Sequence, residues 1–183
     1  GPCHERGFIS YHYLGVLAPE IGLTDPPDRH SLENAASFVI KSQNWATLFN
    51  CLVQCNFMPF GGYKSNWLTQ QVDLLRYVTG WSIDIASVME ISERVFNLQR
   101  LINVSYGISR KDDAAPPKVF VPQQIGKSAG KIPLPFDKTL LEYYELRGWD
   151  RYGRPRVEKL EELGLTEEAD LAFRYIKGLR EKG

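Results

Sequence analysis

Apolar side chains recur three or four residues apart over most of the chain, which is the spacing of amphipathic helices. Gly and Pro separate these periodic stretches, and only residues 118–121 are typical of a β-strand. The pattern therefore predicts an all-α, multihelical fold with Pro/Gly-rich loops and little or no sheet. The predicted helices run from about residue 32 to near 55, over 68–80, over 82–107, over 137–148 and from 166 onward. A short amphipathic helical turn is also predicted at 157–163.

The residue types that flank these stretches support the same organisation. Suitable N-caps precede four of the helices, namely Ser31, Ser82, Asp137 and Thr166. Pro and Gly then divide the chain into four predicted segments. These are an irregular N-terminal segment (1–30), a helical core (31–110), a Pro/Gly-rich loop or arm (111–136) and C-terminal helices (137–183).

Composition narrows the class of protein. The chain has 183 residues, 22 Lys and Arg against 22 Asp and Glu, and 43% hydrophobic residues, as a globular protein does. A formal net charge of zero removes the electrostatic argument for binding nucleic acid or an anionic membrane surface. No run approaches the roughly 18 apolar residues of a membrane-spanning helix, and no signal-peptide pattern opens the chain. Three cysteines are too few for a disulfide-rich scaffold, so the composition predicts a protein of the reducing cytoplasm. The charge and the hydropathy predict that it binds neither nucleic acid nor membrane.

Two cysteines are the most interesting groups chemically. Cys51 and Cys55 lie four residues apart, one helical turn, so the spacing places both thiols on one helix face. Two thiolates make half a metal site. Free cysteines usually behave as small buried hydrophobes, however, and this general behaviour favours a buried structural role for either Cys.

Other reactive side chains have simpler interpretations. Cys3 and His4 are sequence neighbours whose side chains point apart, which disfavours a nucleophilic pair. The charged run 110–113 is typical of a solvated helix end with ion pairs that stabilise little. Three aromatic residues are typical of side chains that pack between helices, namely Tyr143, Tyr144 and Trp149. The residues alone therefore indicate a helical domain with one thiol region of interest.

Two long stretches carry a family resemblance. The first covers 93–104 and continues through Gly107 to 110–113, and the second covers 141–150 and continues through Gly153 and Pro155 to 159–165. Because many of their residues are identical and follow in the same order, these stretches resemble the C-terminal part of the tungsten-containing aldehyde ferredoxin oxidoreductases. The resemblance extends from about Cys3 to Leu165 and covers the C-terminal third or so of a family member. It implies a fragment, or one piece of a split enzyme, and leaves open whether Gly1-Pro2 is native.

The resemblance also implies cofactors and partners. Family members bind a tungsten bis-pterin and one 4Fe-4S cluster, and they oxidise aldehydes to carboxylic acids with ferredoxin as electron acceptor. The implied cofactors are thus a tungsten (or molybdenum) bis-pterin and a 4Fe-4S cluster, and the implied partners are ferredoxin and a small aldehyde. Three cluster cysteines come from an N-terminal region of the same enzyme that this sequence lacks. The isolated chain is therefore expected to be inactive.

A short family motif assigns roles to individual residues. It is an Asp followed five residues later by Cys, and it corresponds here to residues 50–55. The resemblance implies that Cys55 is a cluster ligand and that Asn50 and Gln54 line a pterin. The motif's usual Asp, Gly and Leu are replaced by Asn50, Val53 and Gln54. Asn offers one acceptor where Asp accepts two hydrogen bonds, and Val restricts backbone that Gly leaves free.

The start of the chain carries the remaining candidates. His4 resembles a family histidine near the metal, which implies a catalytic role in binding the substrate oxygen or moving a proton. Arg6 is implied to balance a pterin phosphate. The alternative for His4 is a merely exposed terminal residue. No role is predicted for His12 or His30.

Two other functions stay open beside aldehyde oxidation. The departures in the 50–55 motif also suit a reductive branch of the family, such as an aromatic acyl-CoA reductase. A helical structural or interaction domain that has lost cofactor binding is the other alternative.

Overall fold

The computed structural model describes residues 4–26, 28, 33–60, 67–131 and 136–180. Within these ranges the chain forms helices and no sheet, which confirms the predicted all-α class. The helices are α1 (Ile9–His12), α2 (Ala35–Cys51), α3 (Trp67–Thr79), α4 (Ile85–Ser105), α5 (Phe136–Leu146), α6 (Val157–Glu162) and α7 (Thr166–Arg180). None of those in the described ranges combines the length and the apolar character that crossing a bilayer requires. The predicted cap Ser31 lies outside the described residues.

The chain divides into two compact units with different cores. The first unit comprises residues 1–26 and 38–97, and the second comprises residues 27–37 and 98–183. The first core combines aliphatic side chains with a cluster of aromatic rings, in which the Phe8 centroid lies 5.2 Å from that of Phe49 and 5.8 Å from that of Trp45. The second core is aliphatic and consists of Leu101, Leu160, Leu163, Leu165 and Ala169. Each fully buried large apolar side chain stabilises its unit by roughly 1.5–3 kcal/mol.

Helix α2 ends one turn earlier than its pattern predicts, at Cys51. Val53, which helical spacing places with the apolar face, is 92% exposed and has the left-handed φ of +54°. The Gln54 N–H donates to the Phe49 carbonyl at 2.9 Å, and the Val53 N–H donates to the Asn50 carbonyl at 3.3 Å. This pair of bonds is a standard helix end whose left-handed position is most often Gly. Val53 therefore occupies a glycine position at a cost of about 1–2 kcal/mol.

Two further local predictions are wrong for identifiable reasons. Helix α4 begins at Ile85 and is capped by Asp84 rather than Ser82, because Asp84 Oδ1 accepts a hydrogen bond from the Ser87 N–H at 2.8 Å. The segment predicted as a strand forms a 3-10 turn instead, at Pro117–Phe120. The proline that opens this turn has no N–H to donate to a neighbouring strand.

Candidate functional site

The two thiols of the 50–55 region lie at the end of α2 and just beyond it. Cys51 and Cys55 are both exposed, so the prediction of a buried structural role is wrong for both of them. Partial burial nevertheless raises the pKa of the Cys51 thiol, which keeps that sulfur protonated at neutral pH. Cys55 lies outside the helix, and its carbonyl accepts a hydrogen bond from the Met58 N–H at 3.1 Å. An exposed thiol on such a turn is accessible as a metal ligand.

The side chains of Asn50 and Gln54 form hydrogen bonds within the first unit. Asn50 Nδ2 donates to the Ala46 carbonyl at 2.9 Å. Gln54 Oε1 accepts a hydrogen bond from Gln71 Nε2 at 2.5 Å, and Gln71 Oε1 accepts one from Trp45 Nε1 at 3.2 Å. These bonds occupy one amide proton of Asn50 and the amide oxygen of Gln54. Their pterin contacts, implied by the resemblance, stay predictions.

A single carboxylate links the start of the chain to the Cys55 segment. Glu5 lies on the 3-10 turn His4–Arg6. Its Oε1 accepts a hydrogen bond from the Tyr11 hydroxyl, and its Oε2 accepts one from Asn56 Nδ2 at 3.3 Å. Asn56 directly follows Cys55 in the sequence. The turn and the thiol segment therefore adjoin in the first unit, although the roles predicted for the turn's residues and for the Cys55 thiol stay predictions.

His12 is a buried titratable group to which the sequence assigns no role. It is 1% exposed, with Nδ1 2.6 Å from the Val16 carbonyl oxygen and Nε2 2.7 Å from Ser42 Oγ. Because a carbonyl only accepts, Nδ1 carries a proton, and in the neutral ring Nε2 accepts from the Ser42 hydroxyl. The Gly7 carbonyl competes for that same hydroxyl proton. Burial lowers the pKa of His12 and outweighs the raising effect of its bond to Val16.

The stability of the chain is expected to fall between about pH 7 and pH 5.5, because the folded core keeps His12 neutral while the unfolded chain takes up the proton. Its folded-state pKa lies below its unfolded value near 6.5, so the unfolded state binds more protons in this window. Urea unfolding at the two pH values measures the slope, and His12→Gln should flatten it. Equal slopes in the two proteins would mean that His12 does not cause the pH dependence.

The charged run 110–113 is only in part the solvated stretch that its sequence indicates, because Lys111 and Asp112 are exposed whereas Asp113 pairs with the buried Arg100. Asp113 accepts hydrogen bonds from Arg100 Nη1 at 2.9 Å and from Arg100 Nη2 at 2.6 Å, and the Tyr144 hydroxyl also donates to it. The Arg100 side chain is only 9% exposed, and its Nε donates to the Gly153 carbonyl at 2.6 Å. The interpretation as weak surface ion pairs is therefore wrong for Asp113.

We call this cluster the Arg100 network; it consists of Arg100, Asp113, Tyr144, Trp149 and Gly153. Burial alone would raise the pKa of Asp113, but the hydrogen bonds from Arg100 and Tyr144 outweigh it and lower that pKa. The guanidinium carbon lies 4.8 Å from the Trp149 ring centroid, within cation–π range. Tyr144 and Trp149 are buried, as their predicted packing role requires. Tyr143 is only half-buried, with its ring centroid 5.7 Å from that of Trp149. Residues of the two stretches that carry the family resemblance thus build this buried network of the second unit.

The donor set can be compared with what a metal centre requires. In the described part of the chain, no group of three or more His, Cys, Asp and Glu side chains is arranged to hold a metal ion. A 4Fe-4S cluster takes thiolate ligands, and the exposed Cys55 fits one such position by donor type and accessibility. The amides of Asn50 and Gln54 fit a pterin less well, because part of their hydrogen-bonding capacity is already used.

Comparison with known proteins identifies the class. Residues 1–165 match the family model described as aldehyde ferredoxin oxidoreductase, domains 2 and 3. The chain belongs to this family of oxidoreductases, as its resemblance predicts. It is 30% identical over 171 residues to the tungsten-containing aldehyde ferredoxin oxidoreductases of Thermococcus kodakarensis and Pyrococcus furiosus, which covers 91% of this chain and 26% of each relative.

Two further similarities widen the set of relatives. The aliphatic sulfonate oxidoreductase, WOR-like subunit, of Pyrococcus furiosus is 30% identical over 142 residues, which covers 73% of this chain and 21% of that protein. The active-site complex BamBC of benzoyl coenzyme A reductase, solved with 1,5-dienoyl-CoA, matches with a TM-score of 0.64 at 20% identity. That match covers 92% of this chain and 24% of the solved chain, and it shows the fold alone. The chain spans about a quarter of the length of its curated relatives.

Proposed function

We propose that this chain is the C-terminal part of a tungsten-dependent oxidoreductase that converts aldehydes to carboxylic acids and passes the electrons to ferredoxin. Its family and the names of its curated relatives support the reaction class. Among the chain's own residues, the exposed Cys55 carries the proposal, since an accessible thiol stands where the family motif has its cluster ligand. Because the chain spans 26% of each relative, the remaining ligands and most of the pterin site belong to a region outside it.

The chain's residues then have distinct tasks in this reaction. A tungsten bis-pterin, when bound, supplies the two-electron redox chemistry. Cys55 would provide one thiolate ligand to the 4Fe-4S cluster. His4 donates a hydrogen bond to the substrate oxygen and takes up a proton, as an imidazole does near neutral pH. Arg6 places a positive charge beside a pterin phosphate.

Asn50 and Gln54 retain part of what a pterin needs. Asn50 is exposed, and with Nδ2 donating to its own helix, its Oδ1 still accepts a hydrogen bond from a pterin N–H. Gln54 keeps its amide protons as donors, although its oxygen is bonded to Gln71. A pterin bound here would thus meet fewer side-chain acceptors than an Asp at position 50 would give.

Aldehyde-dependent reduction of a viologen dye tests the proposed reaction. The complete polypeptide that contains this segment, produced anaerobically with tungstate, is expected to contain tungsten and iron and to reduce the dye with a small aldehyde. Protein that contains both metals but oxidises no aldehyde would contradict aldehyde oxidation. Protein purified without tungsten or iron would favour a helical domain that has lost its cofactors.

Reduction of an aromatic acyl-CoA is the second candidate. The replacements at Asn50, Val53 and Gln54 favour it, because they change the motif on the pterin side and leave Cys55 in place. The same metal-containing protein should be given benzoyl-CoA and a reduced viologen. Dye oxidation that depends on benzoyl-CoA, without aldehyde oxidation, would select this branch.

A further inference from the structure

The carboxylate of Glu5 joins a buried anchor to the segment that carries the thiol. Tyr11 is 5% exposed in the core of the first unit, and its hydroxyl donates to Glu5 Oε1. Asn56 Nδ2 donates to Glu5 Oε2 at 3.3 Å. The Tyr11 ring also contacts Phe57, with 5.6 Å between the ring centroids. The two residues after Cys55 are therefore both tied to the same core tyrosine, one of them through Glu5.

The bond to Glu5 also determines which way the Asn56 amide faces. Asn56 Oδ1 is buried and has no hydrogen-bond donor among the described residues. Turning the amide over would place Oδ1 against the Glu5 carboxylate, acceptor against acceptor, and would bury the NH2 group instead. The carboxylate therefore fixes the Asn56 side chain even though its other end is unsatisfied, and an unsatisfied buried acceptor is costly.

We propose that Glu5 is a positioning residue for Cys55: through Asn56, it holds the thiol segment at a set place relative to the turn His4–Arg6. This inference rests on the proposed function, in which that turn lies at the reacting centre and Cys55 binds the cluster. Groups that orient a metal ligand tune the metal and commonly change activity or affinity by about 10–100-fold when they are removed. No spacing in the sequence shows this link, because Glu5 and Asn56 are 51 residues apart.

The variant Glu5→Gln, made in the complete metal-loaded polypeptide, tests the inference. Gln presents one acceptor oxygen and one NH2 group where the carboxylate presents two acceptors, so Asn56 Nδ2 and the Tyr11 hydroxyl can no longer both donate to residue 5. We expect iron and tungsten contents equal to those of the wild type, because every metal ligand is retained. The EPR spectrum of the reduced cluster should shift, and kcat should fall about tenfold with KM for the aldehyde unchanged.

The matched control is Glu90→Gln, which also removes one carboxylate from the first unit. Glu90 lies on the surface and pairs across one helical turn with Arg94, at 3.2 Å. Its replacement should leave the EPR spectrum and kcat at their wild-type values. A change of equal size in this control would attribute the effect to charge and would overturn the positioning role.

A double-mutant cycle with Asn56→Ala separates positioning from general stabilisation. If the Glu5–Asn56 bond acts as a unit, Asn56→Ala alone and the double variant should reproduce the spectral shift and the loss of kcat seen in Glu5→Gln. Additive losses would overturn the inference, as would wild-type EPR and kcat combined with only a lower melting temperature. Wild-type protein without iron or tungsten would defeat the proposed function and this inference together. A silent Glu5→Gln in metal-loaded protein would defeat the inference alone.

Discussion

Replacing Gly153 by alanine is expected to destabilise the chain by about 3–5 kcal/mol, as breaking a buried ion pair does. A Cβ at this position would lie 2.2 Å from Arg100 Nη2 and 3.0 Å from the Tyr144 hydroxyl oxygen. To relieve the clash, the guanidinium must move away from Asp113 and leave that carboxylate without its main partner. Urea unfolding followed by circular dichroism measures the loss.

Gly164→Ala is the matched control for the backbone strain. Gly164 also lies in the second unit and has a left-handed φ of +66°, but no atom lies within 4 Å of an added Cβ. Its replacement should therefore cost only about 1–2 kcal/mol, the strain of a left-handed residue that has a Cβ. If the two variants lost the same free energy, the Arg100 network would not depend on the space that Gly153 leaves.

Replacing Cys55 by serine is expected to remove the 4Fe-4S cluster from the complete polypeptide, or to leave it with an iron missing. Serine substitutes a harder oxygen ligand for a thiolate, and these clusters are held by thiolates. Iron content should fall below about four atoms per chain, and the EPR signal of the reduced cluster should disappear. The loss of activity should exceed the roughly 100-fold limit typical of changes around a ligand rather than at it.

Cys51→Ser is the control, because it removes the other exposed thiol of the same helix end. Cys51 is the last residue of α2, and partial burial raises the pKa of its thiol. Its replacement should leave iron content and the EPR signal intact. Loss of iron in Cys51→Ser but not in Cys55→Ser would show that the cluster ligand is Cys51 rather than Cys55.

The parts of the fold that are predictable from sequence are those with local signals. Apolar spacing and a following glycine define α3, and Gly80 has the left-handed φ of +72° that such a helix end needs. Two glutamates in the first turn, where the helix dipole favours negative charge, similarly mark the start of α7, which has Thr166 as its first residue rather than as its cap. The early end of α2 was not predictable, because Val53 is neither Gly nor Pro and apolar periodicity continues through it.

The parts of the site that sequence misses depend on partners far apart in the chain. Asp113 belongs to a charged run on local evidence, yet its partners Arg100 and Tyr144 are 13 and 31 residues away. The exposure of Cys55 follows from where α2 ends rather than from the spacing of the thiols. The family resemblance supplied the candidate ligand, whereas only the fold shows how Glu5 reaches Asn56.

The left-handed residue Val53 makes the length of the 50–55 segment inseparable from the end of α2. The bonds from Gln54 to Phe49 and from Val53 to Asn50 each span a fixed number of residues. One inserted or deleted residue would break the two backbone hydrogen bonds of this helix end, even if the proposed cluster ligand Cys55 were kept. Substitutions other than proline leave the same bonds intact, since these bonds join backbone atoms. Relatives can therefore differ in the residues of this segment and keep the same helix end. A relative whose segment is longer or shorter would have to end the helix in a different way.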